Sequence, residues 1–168
     1  MNIIKVRNKF EISEFHKLVY TLYKEQKNWI PHIEQDVETV FNPKKNSYHK
    51  HGEVERFILQ KNNLIVGRIA VFYSKKQNSK DSLKIGGIGF FECINDQKAA
   101  NLLFETSISW LKHKNIEAMD GPINFGEKEK YWGLMVEGFD RHTVYGQNYH
   151  LNYYKDLFEN FGFQVYYH

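Results

Sequence analysis

Residues 84–120 constrain the fold of this 168-residue chain more than any other stretch. They read KIGGIGFFECINDQKAANLLFETSISWLKHKNIEAMD. The run 84–94 is apolar and β-prone. Asn95 or Asp96 then offers a helix N-cap. Ala99, Ala100, Leu103, Phe104, Ile108 and Leu111 recur at helical spacing to about His113. Residues 116–120 read again as a short strand. A strand, a helix and a second strand in that order close as a right-handed crossover with the two strands parallel. The glycines at 86, 87 and 89 predict a bulge or a close backbone approach in the first strand.

Other elements attach to this unit. Residues 2–7 read as a strand. Ser13 is placed to cap a helix whose apolar face is Phe15, Leu18, Val19 and Leu22, and Trp29-Ile30-Pro31 prevents its continuation. A second helix is predicted over 33–41, ended by Asn42-Pro43. Residues 54–61 and 64–73 flank Asn62-Asn63 as a β-hairpin. The polar stretch 74–82 reads as a mobile loop. From Gly121 to Gln147 the chain is irregular and aromatic. A helix over about 152–161 is predicted to stop at Gly162 and lead into a strand from Phe163. The expected class is α/β (α+β): one domain over 1–168, with a mixed, mostly antiparallel central sheet and helices on both faces.

Composition excludes several functions. The net charge of +3 suits an anionic ligand without demanding nucleic acid, and Glu127 and Glu129 offset the basic and aromatic residues at 128–132. No apolar run approaches the ~18 residues of a membrane span. Cys93 is the single cysteine, so no internal disulfide forms, as expected in a reducing cytoplasm. The N-terminal MNIIKVRNKFEIS has no apolar signal core. His49, His51 and Glu53 alternate like strand ligands but lack the second half of a zinc pattern, so no metal is expected. GGIGFF is neither a dinucleotide-binding nor a P-loop motif.

GFFECINDQKAANLLFETSISWL and NYYKDLFENFGF, in this element order, resemble the acyl-CoA-dependent N-acetyltransferase superfamily, GNAT. The stretches NWIPH, NPKKN, VGRIA, GFFECINDQ, DGPINF and GLMVEGFD are similar to an uncharacterised bacterial branch of it. Members of that branch are about twice this length. The chain then corresponds to an N-terminal half without the superfamily's final strand, with a second GNAT-like domain or a homodimer as the expected partner.

The resemblance implies acetyl-CoA or another acyl-CoA as co-substrate and a small-molecule amine or a peptide as acceptor. It places the pantetheine arm between 90–94 and 116–120, like a surrogate strand, and the pyrophosphate at the N-terminus of the long helix. The implied cofactor-binding residues are Cys93, Ile94, Asn95, Gln97, Lys98, Ala99, Ala100 and Asn124. Glu92 stands where some members carry a carboxylate base; strand alternation otherwise points it at solvent or at Arg68 on the hairpin. Phe158 replaces the tyrosine that often protonates the leaving thiolate, which leaves Tyr153 and Tyr154, about one helical turn earlier, as candidate acids, with Tyr154 taken first. Asn124, Glu127, Lys130, Tyr131 and Trp132 line an acceptor pocket or a joint with a second domain. INDQKAAN lacks the superfamily's Arg-x-x-Gly-x-Gly and carries Asp96 where phosphate is expected. That departure supports an alternative: an inactive GNAT-like module for packing or substrate recognition.

Overall fold

The computed structural model describes residues 1–76 and 83–168. Five strands form one sheet in the order β1-β2-β3-β4-β5. They are β1 (Asn2–Lys5), β2 (Gly52–Lys61), β3 (Leu64–Ser74), β4 (Ile85–Cys93) and β5 (Ala118–Asp120). The first four pair antiparallel and β5 runs parallel to β4. The helices are α1 (Lys9–Leu22), α2 (Glu34–Phe41), α3 (Gln97–Lys112) and α4 (Tyr154–Phe161).

Strand alternation sorts the core onto two faces. Phe57, Leu59, Ile69, Val71, Ile88, Phe91 and Cys93 face Leu103 and Phe104 of α3 and Leu157 and Phe158 of α4. Ile58, Ala70, Phe72 and Phe90 face Phe15 of α1 and Val37 and Val40 of α2. The β2–β3 hairpin turns on Asn62 and Asn63, both at positive φ, which asparagine tolerates better than most residues.

β4 is bent by design. Its pairing with β3 slips between Arg68 and Ala70, and Phe90 opposite the slip has φ 49°. Gly89 is required just before it, because a Cβ there would lie 2.2 Å from the Ile123 carbonyl. The bulge restarts the alternation, so Glu92 shares a face with Arg68 while Cys93 faces α3.

β4 and β5 pair only from Ile85↔Ala118 to Gly87↔Asp120. One further bond runs from Ile123 N–H to the Ile88 carbonyl. The chain then turns through a cis Gly121-Pro122 peptide, and the last third of β4, paired with β3 on one side, has no strand on the side of β5. The gap that the resemblance places between 90–94 and 116–120 is shifted: 118–120 lie fully paired beside 85–87, and the edge of β4 without a β5 partner begins only after that ladder ends.

Three local expectations are corrected. Ser13 lies inside α1; the cap is Asn8, whose side chain accepts from Glu11 N–H while Glu11 reaches back, a reciprocal capping box one turn earlier. No strand follows α4: residues 163–168 pair with nothing in the sheet and are largely exposed from Gln164 onward. Within the predicted loop 74–82, Ser74 ends β3, and 77–82 lie outside the described residues.

Candidate functional site

The open edge of β4 leads to a buried carboxylate. Glu92 is 8% exposed and Arg68 4%. Arg68 Nη2 lies 3.5 Å from Glu92 Oε1, while Arg68 Nη1 donates to the Phe15 carbonyl at 2.7 Å and the guanidinium sits over the Phe15 ring. Tyr23 and Tyr154 both donate to Glu92 Oε2, each at 2.7 Å. Tyr154 packs with the α3/α4 cluster, yet its hydroxyl reaches a carboxylate of the other face past the edge that β5 leaves uncovered.

This environment sets the charge of each group. Burial raises the Glu92 carboxyl above its ordinary range, against the opposing pull of Arg68 and the two phenols. Burial also drives both phenols well up, so Tyr23 and Tyr154 stay protonated donors. Burial pushes the Cys93 thiol up to about 12, which removes it as a nucleophile at neutral pH.

A narrow cleft of about 30 Å³, room for a water or two, opens onto Arg68 and Glu92. Val19, Tyr20, Trp29, Ile30, His32 and Glu34 are among its walls. Trp29 stacks on Tyr23 at 5.0 Å between ring centroids. Burial and the positive charge of Arg68 lower His32 to about 4, so the ring is neutral at pH 7. His150 is buried beyond it and lowered to about 3, first by burial and then by His32. Its Nδ1 accepts from Met135 N–H at 3.0 Å. Next to the cleft, Glu38 is held by a fork from Arg56 and by His16 Nε2 at 2.7 Å. Partial burial would raise Glu38, but those bonds outweigh it and hold the carboxyl at about 2.

The sequence-predicted residues divide. Glu92 and Tyr154 meet directly. Cys93 presents its backbone to the open edge: Ile94 N–H bonds back to Val66 of β3, so the Cys93 N–H and C=O point the other way. Asn95 is exposed. Gln97 is turned toward α4, donating to the Leu157 carbonyl and to Asn101. The N–H groups of Lys98 and Ala99 are capped by Asp96 Oδ1 at 3.0 and 3.3 Å, and Asp96 Oδ2 is paired with Lys61 at 2.8 Å. Ala100 N–H bonds the Asp96 carbonyl in the helix ladder. Asn124 does not join this group: its amide nitrogen donates within its own loop to the Glu127 carbonyl.

Phe158 is buried among Phe91, Phe104 and Phe163, so the position where the resemblance expects a tyrosine is filled by ring packing. Tyr131 packs against Phe90 and His32, while Trp132 is exposed. Tyr23, His32 and His150 were not found from sequence; only the stripe of α1, which places Tyr23 one turn past Val19, hinted at the first.

Among the described residues no cluster of His, Cys, Asp and Glu has metal-binding geometry, and no helix is long and apolar enough to cross a membrane.

The fold is that of the GNAT acetyltransferases. The chain superposes with a TM-score of 0.57 on a predicted acetyltransferase from Clostridium acetobutylicum solved with acetyl-CoA, covering 98% of this chain and 90% of that one at 13% identity. It superposes with a TM-score of 0.55 on the aminoglycoside N-acetyltransferase AAC(6')-Iy in complex with CoA, covering 99% and 94% at 12% identity. Among curated proteins it is 27% identical over 141 residues to a bacterial ceramide synthase of Caulobacter vibrioides, 83% of this chain. It spans about a third of the length of the curated relatives it matches, 36% and 34%. No protein-family model matches it.

Proposed function

We propose that this chain is an N-acyltransferase domain that moves an acyl group from an acyl-CoA thioester to an amine. The observation that carries the reading is the direct hydrogen bond between Tyr154 and Glu92 at the open edge of β4. Acyl-CoA would supply the activated acyl group, its amide-bearing arm lying along the Cys93 edge. The donor set fits that arm and offers no glycine-built cradle for the pyrophosphate.

Each proton has a place to go. Glu92, raised by burial, takes a proton from the attacking amine, directly or through a water in the cleft. The new C–N bond replaces the C–S bond. Tyr154 gives its proton to the departing thiolate and recovers one from Glu92 Oε2 across their 2.7 Å bond. Base and acid are thus one hydrogen-bonded unit, and the proton lost by the amine ends on the thiol.

The acceptor side suits an amine on an apolar body. Val19, Trp29 and Ile30 form one flank of the cleft, and the carboxylates of Glu34 and Glu92 answer a cation. The curated relative named bacterial ceramide synthase, 36% of whose length this chain covers, supports this class. The test is mass-spectrometric detection of amide product from acetyl- and long-chain acyl-CoA with aminoglycoside, amino acid and long-chain amine acceptors. Product that falls at least 100-fold in Glu92→Gln supports the reading. No product from any pair counts against it.

One observation favours a second reading, a non-catalytic module in the GNAT fold. Asp96 already supplies the negative charge at the α3 N-terminus. Acetyl-CoA at millimolar concentration that leaves the melting temperature unchanged would support this reading.

A further inference from the structure

The open edge of β4 is short of a strand but not of hydrogen bonds. Cys93 N–H donates to the Tyr154 hydroxyl at 3.1 Å. Tyr153 donates its hydroxyl to the Cys93 carbonyl at 2.7 Å. The N-cap and the first residue of α4 therefore occupy the donor and the acceptor that Cys93 turns outward. An extended, amide-bearing ligand would pair with those same two groups, as a neighbouring strand does. The N–H serves one acceptor at a time, and at the carbonyl, which has a second lone pair, the competition is for space: the Tyr153 phenol stands on the side from which the arm would approach.

The two tyrosines are not equivalent. Tyr154 is fully buried and anchored to Glu92, and can lose the Cys93 N–H while keeping its donated bond. Tyr153 is half-buried at the first turn of α4, as its N-cap residue. Its side chain makes no capping hydrogen bond, so the helix start does not depend on its hydroxyl. The phenol can move outward without unfolding an element.

We propose that Tyr153 gates the acyl-CoA arm: its hydroxyl holds the Cys93 carbonyl in the free chain and must leave for the arm to pair there. The inference rests on the acyl-CoA reading above. A protein that must first break this bond binds with its intrinsic affinity multiplied by the fraction already open. A buried hydrogen bond of ordinary net strength lowers that fraction by about five-fold. Removing the gate hydroxyl should then strengthen binding, the reverse of what the loss of a ligand contact does.

The experiment is calorimetric titration of the chain and of Tyr153→Phe with acetyl-CoA and, separately, with adenosine 3',5'-bisphosphate, which lacks the arm. The gate predicts acetyl-CoA binding about five-fold tighter in Tyr153→Phe and the bisphosphate unchanged. If Tyr153→Phe does not fold, Tyr153→Met removes the hydroxyl while keeping a flexible apolar filling, and the same shift is expected. Equal or weaker acetyl-CoA binding in the variant, with binding to the parent intact, overturns the gate and leaves the acyl-CoA reading standing. Tightening of both ligands alike also overturns it, since a general loosening does not act through the arm. No binding of acetyl-CoA to either protein overturns both.

Discussion

The two ends of the uncovered β4 edge answer their charges in opposite ways. At the acceptor end, one carboxylate collects Arg68 from β3, Tyr23 from α1 and Tyr154 from α4. Each partner comes from a distant part of the chain, and each is buried. At the other end, the α3 N-terminus is satisfied within four residues by Asp96, with Lys61 beside it. A buried charge is costly enough to organise the tertiary structure around it, whereas a helix terminus is completed by a single local side chain. The first end carries the proposed chemistry. The second offers an acidic cap, with no glycine at the first turn of the helix.

The largest effect should come from breaking the acceptor end. Arg68→Met leaves Glu92 buried without its cation, and a loss of about 3–5 kcal/mol in urea unfolding is expected. Adding Glu92→Gln should restore part of it. A cost under about 1 kcal/mol would mean that the pair does not organise this region.

Acid should expose the same asymmetry. His32 and His150 have folded pKa values of about 4 and 3, below their unfolded value near 6.5. Being lowered bases, they contribute stability that is complete above about pH 6.5 and falls as pH drops toward 4 and then 3. The His150 contribution should decline by at most about 1.4 kcal/mol per pH unit. Glu38, lowered to about 2, adds a loss that begins only below about pH 4.5. His150→Gln, whose side-chain oxygen can still accept from Met135 N–H, should flatten the decline between pH 6.5 and 4.5. An unchanged slope would assign it elsewhere.

Tyr23→Phe removes one donor from Glu92 and should cost about 1–2 kcal/mol, read from denaturant midpoints. The smallest effect belongs to the helix end. Asp96→Ala should cost about 1 kcal/mol as a lost cap. Asp96→Asn keeps a capping oxygen, should cost only a few tenths, and should strengthen acetyl-CoA binding by removing a negative charge from the phosphate position. Weaker binding in Asp96→Asn would show that the pyrophosphate lies elsewhere.

Much of the architecture was legible because it is encoded by short-range periodicity. The Asn62-Asn63 hairpin and the α3 stripe stand as the sequence indicated; the cap left between Asn95 and Asp96 falls to Asp96, and the parallel return expected over 116–120 is found at 118–120. Helix α1 begins earlier than expected because the Asn8–Glu11 box outcompetes Ser13, which lies among residues that are helical anyway. The strand expected from Phe163 does not form: Gly162, at φ 114°, ends α4, and Phe163 turns onto Phe158 and Phe104 instead of a strand.

From the sequence alone came the strand–helix–strand unit, Glu92 as a carboxylate in an apolar strand, and a helix start without glycine. Those are properties of neighbouring residues, and periodicity and local chemistry suffice to read them. Alternation left Glu92 facing solvent or Arg68; only the tertiary structure decided that Arg68 is taken, that Tyr154, not another phenol of α4, touches the carboxylate, that Tyr23 completes its shell, and that Tyr153 covers the Cys93 carbonyl. The Phe90 bulge sets which face Glu92 takes, and contacts across 24 to 69 residues of chain are set by packing, which no local pattern records.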